Sequence, residues 1–151
     1  VAVDVDYPLA PQHTVADMVA AARAAISCAR ANGAEKIVLW GYSSGAALAT
    51  LLADESIDAL VLTYPDFASL DGLPDDVRGE AILPESGTWP KTFIQIALQD
   101  EVADGAHTRT VAQGAGDLSI AEYVSRHRIS TPEVARKRVQ DIAEFIAKIR
   151  A

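Results

Sequence analysis

The sequence predicts an α/β protein in which a parallel sheet of about five strands carries helices on both faces. Strand-like and helix-like segments alternate along the chain, and the central strand-like segments are nearly continuous apolar runs. Such runs are typical of strands whose two faces are both covered by helices. The 151 residues, 50% of them hydrophobic, suffice for one well-buried core and are too few for two. Residues 1–151 are therefore predicted to form a single domain.

Residues 1–33 predict the first strand and the first helix. Residues 1–6 are rich in valine and are interpreted as a strand. Thr14 and Asp17 resemble a capping box that opens a helix, and Gly33 closes it. The core-facing side of this helix is predicted to consist of Val15, Met18, Val19, Ala22, Ile26 and Ala29.

Further strands and helices follow in alternation. The predicted strands are 36–40, 57–64, 92–98 and 119–125. The predicted helices are 44–53, 104–113 and 132–149, the last opened by a capping box at 130–133 with Pro132 at its first position. The segment 65–90 is too long and irregular for a simple connector. It is predicted either to cap a site, or to run over the surface with its aromatic rings in the core; its apolar side chains are Phe67, Leu70, Ile82 and Trp89.

Composition and charge exclude several classes of partner. With 21 acidic and 13 basic residues the formal charge is -8, which argues against nucleic acid and anionic membrane as partners. The basic run Arg136, Lys137 and Arg138 lies among acids and is interpreted as solvated surface. The single cysteine, Cys28, rules out an internal disulfide, lacks partners for a metal site and is predicted to be buried in a helix. A reducing, cytoplasmic setting is the expectation. No apolar run approaches the roughly 20 residues that span a bilayer.

The stretch G-Y-S-S-G at 41–45 lies where a predicted strand ends and a predicted helix begins. This is the setting of the G-x-S-x-G turn, in which the serine is a nucleophile. The turn is so sharp that the residues two before and two after the serine must be nearly without side chains, which glycine satisfies. Small residues also crowd many strand-to-helix turns that have no catalytic role. The strand before and the helix after favour Ser43 as a nucleophile over that structural alternative.

A serine hydroxyl is a weak nucleophile until a base takes its proton, and the base needs a third group to orient it. Of the three histidines, His13 lies in a loop before the serine, and His107 falls within a helix. In sheets of this type the chain order is serine, acid, histidine. His127, between the last strand and the last helix, is therefore the best candidate base.

The acid has two candidates, each directly after a strand. Asp100 follows the fourth predicted strand and Asp66 follows the third. Asp104 is equally placed to cap the next helix. The position of Asp100 at a carboxyl edge of the sheet favours it over Asp66.

Three stretches resemble a known family, the hormone-sensitive-lipase-like carboxylesterases, which are α/β-hydrolases. D-Y-P-L-A-P-Q-H at 6–13 is similar to the family's D-Y-R-L-A-P-E-H loop. G-Y-S-S-G-A at 41–46 matches the family's G-D-S-A-G-G at both outer glycines and at the serine, and D-E-V-A-D-G at 100–105 is similar to its D-P-L-R-D-E. The resemblance implies the α/β-hydrolase fold, a small-molecule ester as substrate, and no cofactor or metal. It assigns Ser43, Asp100 and, by position before the last helix, His127 to the catalytic triad.

The family's H-G-G-G stretch, whose backbone N–H groups supply most of the oxyanion hole, has no counterpart in the 151 residues. The N–H of Ser44 is the one oxyanion donor predicted here. In the family, the strand bearing that stretch lies between those that correspond to 1–6 and 36–40. Either the chain is the carboxyl-terminal part of a longer hydrolase, which the missing initiator methionine favours, or strand 1–6 pairs directly with 36–40. An incomplete sheet exposes an edge, so a homo-oligomer or a complementing chain that covers it is predicted.

Two functions from different classes stay open on the sequence. The first is a serine hydrolase that acts on carboxylic esters through an acyl-enzyme, with Ser43, Asp100 and His127 as its triad. The second is a non-catalytic hydrolase-like domain that binds a ligand at the carboxyl ends of the strands, or an incomplete fragment of a longer esterase. The G-x-S-x-G turn supports the first, and the absent H-G-G-G stretch supports the second.

Overall fold

The computed structural model describes residues 1–54 and 56–150, and these form a parallel sheet with helices on both faces. The strands, which neighbour one another in chain order, are β1 (Val38–Tyr42), β2 (Ala59–Thr63), β3 (Lys91–Ala97) and β4 (Leu118–Tyr123). The helices are α1 (Val15–Ala31), α2 (Ser44–Leu51), α3 (Ala68–Asp71), α4 (Asp75–Arg78), α5 (Gly105–Val111) and α6 (Pro132–Arg150), with a 3-10 turn at Ser86–Thr88. The predicted fold class is confirmed, with one strand fewer in the described residues than predicted.

Two apolar layers hold the helices against the sheet. The layer beneath α1 and α2 contains Val15, Ala46, Leu60, Leu62 and Ile94. The opposite layer, beneath α6, contains Ala59, Val61, Phe93, Ile142 and Phe145. Successive residues of a strand point to opposite faces, so β2 contributes to both layers in turn. This double burial explains why β2 is a continuous apolar run in the sequence.

Residues 1–6 are not a strand, which corrects the sequence-based prediction. Val1 and Val3 are 117% and 68% exposed, and the Tyr7 N–H closes a local turn on the Val5 carbonyl. A strand is stable where a neighbouring strand pairs with its backbone N–H and C=O groups. No described strand pairs with residues 1–6, so the alternative in which this segment pairs directly with strand 36–40 is wrong.

β1 is an edge strand of the described sheet. The Ser43 N–H donates to the Thr63 carbonyl of β2 at 3.0 Å. Because alternate residues of a strand direct their backbone groups to the same side, Val38, Trp40 and Tyr42 present theirs to the other side, here called the open edge. The Trp40 side chain is 56% exposed, and its indole N–H donates to the Thr63 hydroxyl of β2 at 3.0 Å. That a second copy or a complementing chain covers the open edge stays a prediction.

α1 begins at the predicted cap. Thr14 Oγ1 accepts from the Asp17 N–H, and the Asp17 carboxylate accepts from the Thr14 N–H, at 3.2 and 2.9 Å. The bonds that the Asp17 carboxylate accepts from the Thr14 N–H and from the Thr14 hydroxyl hold the pKa of Asp17 below its usual value. Cys28, predicted to be buried, is exposed. It falls outside the stripe through Ala22 that faces the core, so the helix period places it on the solvent side.

α6 differs from prediction at two points. Its cap is Thr131, whose Oγ1 accepts from the Val134 N–H at 3.3 Å, so the capping box predicted at 130–133 does not form. Arg138 is half-buried, and its guanidinium lies 4.9 Å from the centroid of the Tyr64 ring. The prediction of solvated surface is therefore wrong for Arg138, whereas Arg136 and Lys137 are exposed. Neither α6 nor any other helix of the described residues is both long and apolar enough to cross a membrane.

Segment 65–90 contains α3, α4 and the 3-10 turn. The Phe67 and Trp89 rings pack with their centroids 6.0 Å apart, and both belong to the core layer that also contains Leu70. Ile82 is exposed. Most of the apolar side chains of this segment thus bury themselves against the sheet, as the surface-excursion alternative expects. That the segment caps a site stays a prediction.

Candidate active site

Ser43 lies at the junction of β1 and α2 with an uncommon backbone conformation. Its φ is 55° and its ψ is -125°, in a region that residues with a Cβ rarely adopt. Strain of this kind costs on the order of 1–3 kcal/mol. The Ser43 side chain makes no capping hydrogen bond to α2. The strained turn therefore leaves the hydroxyl available to a partner outside the helix.

The two glycines that flank Ser43 tolerate different amounts of bulk. A Cβ at Gly41 would lie 2.3 Å from the Gly45 carbonyl oxygen and 2.5 Å from the Ala46 Cα, and these backbone atoms cannot move aside. A Cβ at Gly45 would meet the Tyr7 hydroxyl at 3.3 Å. The close approach of β1 to α2 thus requires glycine at position 41, whereas the fit at position 45 depends on one side chain.

His127 lies in the loop between β4 and α6 and is 1% exposed. Its Nε2 is 2.7 Å from the Ser43 Oγ, and its Nδ1 is 2.8 Å from the Asp100 Oδ2. An ionised carboxylate only accepts hydrogen bonds, so the proton of the neutral ring is assigned to Nδ1. Nε2 is then the acceptor for the Ser43 O–H.

Asp100 lies in the loop after β3 with its side chain 3% exposed. Its Oδ1 accepts from the Val102 and Ala103 N–H groups, each at 2.8 Å, while Oδ2 faces His127. Burial raises the pKa of Asp100, but the bonds from Ala103, His127 and Val102 outweigh burial and leave the pKa below its usual value. The carboxylate is therefore held ionised and fixed in direction.

The remaining candidates do not join this arrangement. The Nδ1 of His13 lies 4.0 Å from the Asp17 carboxylate. His107 is exposed on α5 and lines a cavity of about 420 Å³ together with Phe67 and other residues of segment 65–90. Asp104 accepts from the Ala106 N–H and caps α5, as one of the two sequence interpretations expected.

Asp66, the rival acid, meets the backbone of Ser43. Its N–H donates to the Ser43 carbonyl at 3.1 Å, which also accepts from the Ala46 N–H at 3.0 Å. Asp66 therefore helps to fix the turn, while the imidazole is paired with Asp100.

The Ser44 N–H is the first backbone donor of α2. A first-turn N–H has no partner within its own helix and lies at the positive end of the helix dipole. It directly follows the residue whose hydroxyl faces His127. Its position suits it to a developing negative charge next to Ser43 Oγ.

Tyr42 and Tyr64 also contact His127, and sequence reasoning missed both. The Tyr42 hydroxyl donates to the His127 carbonyl, and the Tyr42 and His127 ring centroids are 5.5 Å apart. The Tyr64 ring is 6.2 Å from the same imidazole. No local sequence pattern predicts these contacts, because they join residues far apart in the chain.

An open cavity of about 490 Å³ adjoins the Asp100 loop. Its lining includes Asp100, Val102, Asp104 and Arg109. Among residues 1–54 and 56–150, no three His, Cys, Asp or Glu side chains gather as metal ligands would.

A parallel sheet with a strained serine between a strand and a helix, hydrogen-bonded to a histidine, is the architecture of the α/β-hydrolases. A family model described as alpha/beta hydrolase fold matches residues 1–119, and the chain belongs to that family. The resemblance to the hormone-sensitive-lipase-like hydrolases is thereby confirmed. A search of curated proteins finds no match.

Solved structures share the fold at low sequence identity. Vibralactone cyclase is 16% identical, with a TM-score of 0.72 over 95% of this chain and 60% of that one. Esterase 2 of Thermogutta terrifontis, in a phosphoramylated form, is 21% identical, with a TM-score of 0.75 over 95% of this chain and 69% of that one. A hyperthermophilic esterase of Pyrobaculum calidifontis is 19% identical, with a TM-score of 0.71 over 96% and 65%. The chain thus spans about two thirds of these relatives' length or less.

Proposed function

We propose that the protein is a serine hydrolase that cleaves carboxylic esters, with Ser43 as nucleophile, His127 as base and Asp100 as the orienting acid. The observation that carries this proposal is the unbroken hydrogen-bonded chain from Asp100 through His127 to Ser43, with distances of 2.8 and 2.7 Å. Membership of the α/β-hydrolase family supports the hydrolase class. Two of the similar structures are esterases by name, which supports esters as the substrate class.

The first half of the reaction forms an acyl-enzyme. The Ser43 Oγ attacks the ester carbonyl carbon while its proton passes to the His127 Nε2, and the carbonyl oxygen becomes an oxyanion. When this tetrahedral intermediate collapses, the bond from carbon to the alcohol oxygen breaks, and the leaving alkoxide takes the proton from Nε2. Asp100 accepts the Nδ1–H throughout and stabilises the imidazolium, so the ring keeps its orientation.

The second half returns the enzyme to its starting state. Water gives one proton to the His127 Nε2 and attacks the acyl carbon, which forms a second tetrahedral intermediate. The bond from that carbon to the Ser43 Oγ then breaks, and Oγ takes the proton back from Nε2. The products are a carboxylic acid and an alcohol, so one water is consumed for each ester cleaved.

The oxyanion of both intermediates needs hydrogen-bond donors, and the Ser44 N–H is the donor that this chain supplies. Removal of one donor from an oxyanion hole typically costs about 10² to 10³ in turnover. With the H-G-G-G stretch absent from the 151 residues, turnover of this chain is expected to be slow.

Hydrolysis of p-nitrophenyl acetate by the purified chain, with Ser43→Ala and Ser44→Ala as matched variants, tests the proposal. Ser43→Ala removes the nucleophile and is expected to lower kcat at least about 10⁴-fold. Ser44→Ala removes a neighbouring hydroxyl but keeps the backbone N–H, so most of the turnover should stay. A Ser43→Ala variant that folds and hydrolyses the ester at the wild-type rate would refute the proposal.

A further inference from the structure

We propose that Tyr42 is a positioning residue. Its hydroxyl binds the carbonyl group of His127 in the loop 124–131 between β4 and α6, here called the His127 loop, and so keeps the imidazole aligned between Ser43 and Asp100. This inference rests on the proposed function and adds to it a residue of the G-Y-S-S-G turn that has no role in the chemistry. Tyr42 immediately precedes Ser43, so one strand end carries both the nucleophile and this contact to the base.

The need for such a contact follows from the topology. β1 and β4 are the two edges of the described sheet, with β2 and β3 between them. At the usual spacing of neighbouring strands, the two edges lie about 14 Å apart. His127 follows β4 but meets Ser43 at the end of β1, so the loop that carries it runs back across the sheet. A long irregular loop holds one conformation only where its backbone is hydrogen-bonded to rigid elements.

Hydrogen bonds from neighbouring elements hold the His127 loop at Ser125 and at His127, and between them the Arg126 Nε lies 3.6 Å from the Glu101 carboxylate. Near β4, the Gln99 N–H donates to the Ser125 carbonyl at 3.0 Å, and the Tyr64 hydroxyl is 2.7 Å from the Ser125 Oγ. At the far end, the Tyr42 hydroxyl donates to the His127 carbonyl across 85 residues of sequence. The Tyr42 bond thus joins the backbone of the proposed base to the last residue of β1, directly before the proposed nucleophile.

The aromatic rings add a second constraint. The Tyr42 ring centroid is 5.5 Å from the imidazole and 5.9 Å from the Tyr64 ring, in tilted arrangements that such rings favour. Burial raises the pKa of Tyr42, so its hydroxyl stays a protonated donor at neutral pH. Removal of the hydroxyl alone would leave this ring packing in place and release the His127 carbonyl.

The test compares Tyr42→Phe with Tyr123→Phe. Tyr123 is a matched control because its buried hydroxyl donates to Asp141 and accepts from Gln95, and neither of these two residues belongs to the His127 loop. Two readouts are used: kcat and KM with p-nitrophenyl acetate, and the low-field proton resonance of the His127 Nδ1–H. Tyr42→Phe is expected to lower kcat about 10- to 100-fold with little change in KM, and to broaden or abolish the resonance. Tyr123→Phe should keep both, even if it lowers the melting temperature.

The two readouts separate this inference from the proposed function. If the wild-type chain hydrolyses no ester, the proposed function fails, while the resonance still reports whether Tyr42 holds the imidazole against Asp100. A Tyr42→Phe variant with wild-type kcat, or with an unchanged resonance, would overturn the inference. A wild-type chain without the resonance would overturn it too, because the Nδ1–H would then not be held by Asp100. Equal losses of kcat and of the resonance in Tyr42→Phe and Tyr123→Phe would also overturn it, since they would indicate a general destabilisation of the fold.

Discussion

The Oγ of Ser43 and the Nε2 of His127 lie 2.7 Å apart, although 84 positions separate them in the sequence and their strands form opposite edges of the described sheet. Ser43 is placed by a strained turn, and His127 by a loop that returns across the carboxyl ends of the strands. The hydrogen bond between them therefore depends on the arrangement of all four described strands. Changes that affect either the turn or the loop should be detectable at this one contact.

The acid of the proposed triad is tested by Asp100→Asn. The substitution keeps the shape of the side chain but removes the charge that orients and stabilises the protonated imidazole, so kcat is expected to fall about 10⁴-fold. Asp66→Asn is the control, because Asp66 contacts Ser43 through its backbone N–H, which the substitution keeps. Steady-state hydrolysis of p-nitrophenyl acetate gives kcat for both variants. A larger loss in Asp66→Asn than in Asp100→Asn would contradict the assignment.

The close approach of β1 to α2 predicts unequal responses of the two glycines. Gly41→Ala forces a Cβ within 2.3 Å of backbone and is expected to lower the free energy of unfolding by about 1–3 kcal/mol or more. Gly45→Ala requires only a small shift of the Tyr7 side chain, so its effect should be smaller. Urea unfolding of both variants measures the difference. Equal free energies of unfolding would contradict this description of the turn.

The pKa of Asp100 predicts how its contribution to stability depends on pH. Because the folded-state pKa lies below the usual value of about 3.9, the ionised carboxylate stabilises the fold above that pH. The stabilisation is lost as the pH falls through the lower folded-state pKa. Asp100→Asn should therefore be less stable than wild type at pH 5, by about 1.5–3 kcal/mol for bonds to a charged group, and the difference should narrow as the pH falls below about 3.9. Urea unfolding across this range checks it; a gap that widens in acid would refute it.

The open edge of β1 predicts self-association or capture of a complementing chain. Val38, Trp40 and Tyr42 direct their backbone groups to this edge of the described sheet, and an edge strand is a template for another strand. Light scattering after size exclusion is expected to give a mass above the 16.0 kDa of one chain, and Trp40→Lys should restore that value because a charge on an edge strand opposes pairing. A wild-type mass of one chain at every concentration, with no co-purifying chain, would contradict the prediction.

Much of the fold was predictable because its signals are local. The apolar runs of β2 and β3, the Thr14 cap and the glycines around Ser43 each express a constraint within a few residues. Asp100 was favoured over Asp66 from its place after a strand and from a resemblance, and it is the acid that meets His127.

The structure differs from the sequence-based predictions where contacts between distant parts of the chain determine the conformation. Residues 1–6 have the composition of a strand but no described strand pairs with them. Arg138 belongs to a basic run that was interpreted as solvated surface, yet it is half-buried and its guanidinium packs on the Tyr64 ring. The contact from Tyr42 to His127 has no sequence signature, because the loop that brings them together has no regular pattern.

Reaction of the purified chain with a fluorophosphonate, followed by intact mass and peptide mapping, tests the proposed triad of Ser43, His127 and Asp100 directly. Phosphorus replaces the acyl carbon, and the Ser43 Oγ displaces fluoride only if His127 takes its proton. We expect one adduct per chain, located on Ser43, retained in Ser44→Ala and absent from Ser43→Ala and His127→Ala. A folded wild-type chain that stays unlabelled, or that is labelled elsewhere, would contradict the claim and favour the binding-domain alternative.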